Sequence, residues 1–200
     1  MATRAFVDSN VLANWMLIDA AVQEIGDSAT ELLKAKAGRK YPSYVLLEKL
    51  RKTSGQSPIG FGTSRFAVAE TIRVILDEYI KRRIDDKGIP YQYWEFVIKQ
   101  EKLSDQDKED LFKQVLRFFT IFRKPSTKMI LRFHEGHDLN DVHDLIVSTR
   151  LSATDAFLVS QAIHGGCTYF VTEDEPLRRL LKKGRIVGGV SAQTVLSTLD

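Results

Sequence analysis

The chain has a single cysteine, Cys167, in 200 residues. One thiol can neither close an internal disulfide nor build a cysteine-based zinc cluster, and its apolar flanks mark it as a buried, inert group. Long apolar runs are missing as well. Phe118 to Phe122 is bracketed by Arg117 and Arg123, far short of the ~20 residues that a bilayer-spanning helix requires. No apolar segment precedes a small-residue cleavage site at the N-terminus, because Met-Ala-Thr-Arg runs straight into Phe6, Val7 and Asp8. A cytoplasmic protein with no membrane contact is expected. A large excess of one charge is also lacking: the net charge is +3, too little by itself to announce a nucleic-acid binder.

What is present is 44% hydrophobic and 28% charged content, which suits one globular α/β domain with some elaboration. The basic residues are unevenly spread. Lys34, Lys36, Arg39, Lys40, Lys49, Arg51 and Lys52 stand against Glu48 alone, and Arg178, Arg179, Lys182, Lys183 and Arg185 follow the acidic trio Glu173, Asp174 and Glu175. Such runs either contact phosphates or form solvated faces.

Arg4 to Val7 is a short apolar run followed by Asp-Ser-Asn and then by helically spaced Val11, Leu12, Trp15 and Leu17. The pattern predicts strand, turn and helix, with Ser9 or Asn10 as the cap. Helices are expected over Asp27 to Ala37 and Tyr44 to Arg51, and Thr53 to Gly62 reads as a loop because of its glycine and proline breakers. A short strand from Phe61 to Ser64 then leads into a long helix from Arg65 to Arg83. After Lys128 the pattern predicts strands at Met129 to Phe133, Thr168 to Val171 and Ile186 to Val187. Between and after them fall helices at Asn140 to Arg150, Ala153 to His164, Pro176 to Lys182 and Ser191 to Leu199. Strands alternating with helices imply a three-layer α/β/α fold with a mainly parallel central sheet.

Residues 84–127 form a helical insertion within this single domain 1–200. The segment holds eight of the nineteen aromatics, Tyr91, Tyr93, Trp94, Phe96, Phe112, Phe118, Phe119 and Phe122. Base stacking is one reading, but aromatics at helical spacing are usually core or subunit interface, so packing is the expected role.

Four acids occupy matched places: Asp8 after the first strand, Glu70 early in a helix, Asp155 at the opening of another, and Asp174 after a later strand. In an open parallel sheet, ligands bind at the carboxyl ends of the strands. Carboxylates gathered there repel one another unless cations neutralise them. Alone, each could be a helix cap or turn residue.

Four segments carry a resemblance. They are Phe6-Val-Asp-Ser-Asn-Val-Leu, Thr63-Ser-Arg-Phe-Ala-Val-Ala-Glu70, Ser152-Ala-Thr-Asp155-Ala-Phe-Leu-Val and Tyr169-Phe-Val-Thr-Glu-Asp174. In order and context they resemble the PIN-domain family of VapC-like ribonucleases. The resemblance implies an endoribonuclease, a hydrolase that uses Mg²⁺ or Mn²⁺ to cleave RNA, with Asp8, Glu70, Asp155 and Asp174 as metal-binding and catalytic acids. It also implies that Asn10 and Thr172 orient them. A toxin-antitoxin or an RNA-processing role fits this picture, with RNA as substrate and room for an antitoxin-like protein or a homodimer. A non-catalytic RNA- or protein-binding module, in RNA processing or ribosome assembly, is the alternative. The second acid has a competitor, since Pro42-Ser-Tyr-Val-Leu-Leu-Glu48 looks similar. The Thr-Ser pair before Glu70 and the long amphipathic helix after it favour Glu70.

Oxygen donors without a sulfur or histidine quartet suit Mg²⁺ or Mn²⁺ rather than zinc. His134-Glu-Gly-His137 lacks the four-residue spacing of the zinc helix. A phosphoaspartate mechanism needs a second Asp where Asn10 stands.

Overall fold

A computed structural model describes residues 3–25, 35, 37–52, 59–122, 132–184 and 187–199. Five strands form one sheet: β1 (Thr3–Val7), β2 (Ile59–Thr63), β3 (Arg132–Phe133), β4 (Tyr169–Val171) and β5 (Gly188–Val190). All pairings are parallel and the order is β3-β2-β1-β4-β5. The centre of the sheet is apolar throughout, with Phe6, Val7, Phe170 and Val171 fully buried, as a sheet covered on both faces demands.

The helices are α1 (Ser9–Ile25), α2 (Tyr41–Lys52), α3 (Arg65–Asp86), the short α4 (Trp94–Ile98), α5 (Asp105–Phe122), α6 (Leu139–Thr149), α7 (Ala153–His164), α8 (Glu175–Gly184) and α9 (Ala192–Leu199). Strands advance from β1 through β2 to β3 on one side, then cross to β4 and β5 on the other. Right-handed crossovers therefore put α1 and α3 on one face and α7 and α8 on the opposite one. Helices α2, α5 and α9 pack with the α1 and α3 layer. The three-layer α/β/α architecture expected from the alternation is what forms, with a helical elaboration between α3 and β3.

Several local expectations need correction. Helix α1 begins at Ser9 itself, and the preceding Asp8 occupies the cap position, its carbonyl accepting from Leu12 N at 3.2 Å. Asn10 lies inside the helix and bonds across to β4 instead. Part of the Thr53 to Gly62 loop is strand, because Ile59 and Gly60 pair with Thr3 and Arg4. The last strand lies at Gly188–Val190, with Val187 before it and Ile186 outside the described residues. Glycine is required there by close packing. A Cβ on Gly189 would lie 2.9 Å from the Arg178 carbonyl oxygen and 3.0 Å from its Cα. Most of the expected Asp27 to Ala37 helix and the residues from Met129 to Leu131 lie outside the described residues.

The insertion is only half core. Phe118 and Phe122 are buried and meet the Trp15 ring with centroids 6.0 and 4.8 Å apart, so α5 completes the layer over α1. Tyr91, Tyr93, Phe96 and Phe112 are exposed, Tyr91 at 81%. Of the expected packing role, the core part holds for Phe118 and Phe122: α5 turns one stripe inward, and Phe112 lies off that stripe.

The glycine contacts give a paired test. Gly189→Ala forces a methyl against the α8 backbone and is expected to cost roughly 1–3 kcal/mol. Gly60→Ala meets its nearest neighbours at 3.8 Å and is expected to be neutral or slightly stabilising. Urea denaturation of both variants checks this, and an equal cost at the two positions would contradict the packing described for β5 and α8.

Candidate functional site

The chain changes direction across the sheet between β1 and β4, which neighbour each other although their connections run to opposite sides. At such a switch point the loops diverge and leave a crevice outside the carboxyl ends of the strands. Asp8 leaves β1 at that edge, and Thr172 and Asp174 leave β4 beside it.

Asp8 is 3% exposed. Its Oδ1 accepts from Ser9 N at 2.7 Å and from the Ser9 hydroxyl at 3.3 Å. Its Oδ2 accepts from Thr172 Oγ1 at 2.6 Å. These donors and the adjacent amino end of α1 favour the carboxylate. Burial outweighs them, with Glu70 and Asp155 adding repulsion, and the net effect pushes Asp8 up from 3.8 to about 7. A carboxyl group so placed is either protonated or short of a cation.

Thr172 is the hub. Its Oγ1 donates to Asp8 and accepts from Asn10 Nδ2 at 2.8 Å and from Asp174 N at 3.1 Å. Asn10 Oδ1 in turn accepts from Glu173 N at 3.0 Å. One hydroxyl thereby fixes the Asp8 rotamer and ties it to the loop that carries Asp174.

Ser64 caps α3 by accepting from Ala67 N at 3.0 Å, and Glu70 follows in the second turn. Its side chain is 15% exposed, and Arg73 lies 3.8 Å away. Oε2 of Glu70 is buried and has no hydrogen-bond partner among the described residues. Burial, the largest cause, raises the Glu70 carboxyl, Asp155 adds to this, and the Ser9 hydroxyl opposes it. Thr71 Oγ1 donates to Ser9 O at 3.1 Å and to Ala67 O at 2.8 Å, locking the start of α1 to α3.

Asp155 belongs to the first turn of α7, where Ser152 Oγ donates to its Oδ2 at 2.6 Å and accepts from its backbone N at 3.1 Å. Asp174 is exposed, and its Oδ1 accepts from Leu177 N at 2.9 Å, capping α8. Asp8, Glu70 and Asp155 thus form one electrostatic group, while Asp174 stands at its rim and joins it through Thr172. The buried Oε2 of Glu70 is by its chemistry a donor for a hard divalent cation, but no three of Asp8, Glu70, Asp155 and Asp174 bring carboxylate oxygens within 4.8 Å of one another.

Glu48 is accounted for otherwise. It is buried between α1 and α2, accepting from Trp15 Nε1 at 3.1 Å and from Arg51 Nε at 3.1 Å, so its charge is already met. The histidines that lie near one another in sequence each have other neighbours. His137 packs on Phe157, His143 lies 3.2 Å from Asp144, and His134 sits against Gly165 and Phe6. Among the described residues, ligand atoms of three metal-binding side chains come within 4.8 Å of one another at Asp138, Asp141 and His164. This set was not foreseen, because its members come from two helices and the loop before them. Its polar atoms are largely occupied, with Asp138 capping α6 through Asn140 N at 2.8 Å and His164 Nε2 3.1 Å from Asp141. Ser9, Thr71 and Ser152 are the other supporting residues that sequence patterns left unassigned. The Asp-Ser-Asn triplet was the available signal for Ser9.

Burial of the lone cysteine holds its thiol high, at about 11, in keeping with an inert group. Arg178 donates to Thr172 O at 2.9 Å and so braces the site loop. Among the described residues no helix is long and apolar enough to cross a membrane.

The architecture is that of an α/β protein with its polar site at a parallel-sheet switch point. No family model matches the sequence. A protein of Archaeoglobus fulgidus, described as uncharacterized, is 31% identical over 110 residues, which span 54% of this chain and 90% of that protein. The chain belongs to the same family as that protein. The crystal structure of PAE2754 from Pyrobaculum aerophilum aligns over 100% of this chain and 98% of its own, with 16% identity and a TM-score of 0.46.

The raised Asp8 and Glu70 carboxyls make a prediction about stability. The native state holds both protons at pH values where the unfolded chain has released them, so stability falls as pH rises above about 4, for Asp8 through its folded value near 7. For Asp8 the loss is on the order of 4 kcal/mol, since each tenfold change in ionisation is worth about 1.4. In chelator-treated protein, Asp8→Asn is expected to flatten this decline and to be the more stable form at pH 8. Thermal melts of both proteins across pH 5 to 8 check it, and parallel curves would contradict it.

Proposed function

We propose that this chain is a PIN-type ribonuclease, a hydrolase that cleaves RNA phosphodiesters with the help of Mg²⁺ or Mn²⁺. The observation that carries the proposal is the buried Asp8 carboxyl, held by Thr172 and Ser9 at the switch point while Glu70 and Asp155 press on it. Such an arrangement costs stability unless a cation is shared among the acids. Asp8, Glu70 and Asp155 would hold the cation, with Asp174 reaching it from the rim. The bound cation would supply an activated water and shield charge on the scissile phosphate.

The remaining work falls to the chain. Asn10 and Thr172 keep Asp8 in one rotamer and hold the Asp174 loop against it. Glu70 offers an oxygen with no internal partner among the described residues. Helix amino ends at α1, α3 and α7 face the same edge and favour anionic phosphate there. No side chain has to act as a covalent nucleophile.

The cap that Asp174 makes on α8 suits the second reading, a non-catalytic RNA- or protein-binding module. The two separate in one experiment. The parent protein is expected to cleave a panel of RNAs in Mn²⁺ and not in chelator, and Asp8→Asn to lower the rate at least a hundredfold with an unchanged circular dichroism spectrum. Full cleavage by Asp8→Asn would contradict the assignment, and RNA binding without cleavage at any Mn²⁺ or Mg²⁺ concentration would support the binding module.

A further inference from the structure

We propose that Phe66, Phe157 and His137 form a stacking subsite beside the carboxylates that takes an unpaired nucleobase of the bound strand. The inference rests on the nuclease reading and adds to it a recognition element for the base.

Three separate elements bring these rings together. Phe66 lies in the first turn of α3, Phe157 in α7, and His137 in the loop after β3. The Phe66 and Phe157 ring centroids are 4.8 Å apart at 50°, and those of His137 and Phe157 are 4.4 Å apart at 45°. Both helices that supply a phenylalanine also supply a site carboxylate. Phe66 precedes Glu70 by four residues on α3, a spacing that puts Cβ atoms about 5–6 Å apart on one face. Phe157 shares α7 with Asp155, although a two-residue spacing turns the two side chains to different sides of that helix.

A ring cluster built only for packing would be covered. Phe66 is 38% exposed, His137 is exposed and Phe157 is half-buried. The cluster is also braced: Glu135 Oε1 accepts from Arg65 N at 3.2 Å and lies 3.6 Å from Arg65 Nε, and Glu135 O lies 3.3 Å from His137 Nδ1. The loop carrying His137 is thereby tied to the start of α3.

The charges beside the rings select the occupant. The outward face of α3 carries Arg65, Phe66, Ala69 and Arg73. The Arg65 side chain is 77% exposed, and Arg73 is held only loosely by Glu70 at 3.8 Å. Two solvent-facing guanidinium groups flanking an aromatic surface match a strand of alternating phosphates and bases, the phosphates meeting arginine and a base meeting the ring. In a duplex the base faces are covered by stacking, so this subsite favours a base already unpaired.

The test compares binding of a labelled single-stranded ribo-oligonucleotide with that of an abasic oligonucleotide of the same length, by fluorescence anisotropy in Ca²⁺. Phe66→Ala is expected to weaken binding of the base-bearing strand about tenfold, the loss of one base–aromatic stack, while leaving the abasic strand unaffected. Phe66→Trp is expected to retain binding and Phe66→Leu to lose it, which separates stacking from bulk. Equal losses on both strands, no loss on either, or a fully competent Phe66→Leu would overturn the subsite. Mn²⁺-dependent cleavage by the parent protein is scored alongside. If the parent cleaves while Phe66→Ala binds as the parent does, the subsite fails and the nuclease reading stands. If the parent neither binds nor cleaves, the nuclease reading fails and takes the subsite with it.

Discussion

Much of this molecule depends on one unfavourable placement, the burial of the Asp8 carboxyl at the end of the central strand with Glu70 and Asp155 close enough to repel it. The sheet order makes that placement unavoidable. β1 is flanked by β2 and β4, both parallel to it, so the residue after β1 emerges at the switch point whatever its identity. The neighbours are then chosen around it. Thr172 and Ser9 donate to the carboxylate, Asn10 supports Thr172, and Thr71 fixes the turn that carries Ser9. Those hydrogen bonds set orientation. They do not offset desolvation, which leaves Asp8 near 7.

This separates the acids by role. Glu48 is a buried carboxylate of the ordinary structural kind, with its charge met by Arg51 and the Trp15 indole. Glu70 is equally tied to a helix but keeps an oxygen with no partner among the described residues. In sequence the two glutamates look alike, and they differ only in what faces them. Asp174 and Asp155 show the double use of acids at helix starts, each supporting its own helix while standing at or near the group.

Local signals made the strand–turn–helix around Asp8 and the starts of α3 and α7 legible in the sequence, because caps and apolar periodicity act over a few residues. The placement at the carboxyl edge of the sheet was legible too, since the alternation of elements implies a parallel sheet, whereas the strand order that makes it a switch point was not. Other features depend on long-range contact. The strand at Gly188 and Gly189 has poor intrinsic strand propensity and exists because it pairs with β4, where α8 and Tyr169 leave no room for a Cβ. The division of the 84–127 aromatics into the core pair Phe118 and Phe122 and the exposed Tyr91, Tyr93, Phe96 and Phe112 follows from where Trp15 sits. Periodicity alone cannot supply that. The cluster joins Phe66 to His137 and Phe157, both more than seventy positions further along the chain, and nothing in their local sequence marks them.

The central proposal is that the buried Asp8 carboxyl is a ligand to a divalent cation. Carbon-detected NMR of the Asp8 carboxyl, titrated from pH 4 to 9 with and without Mg²⁺, tests it most directly. The account predicts titration near 7 in the metal-free protein and a clear downward displacement when Mg²⁺ is present. Titration near the ordinary aspartate value of about 4 in both conditions would contradict it.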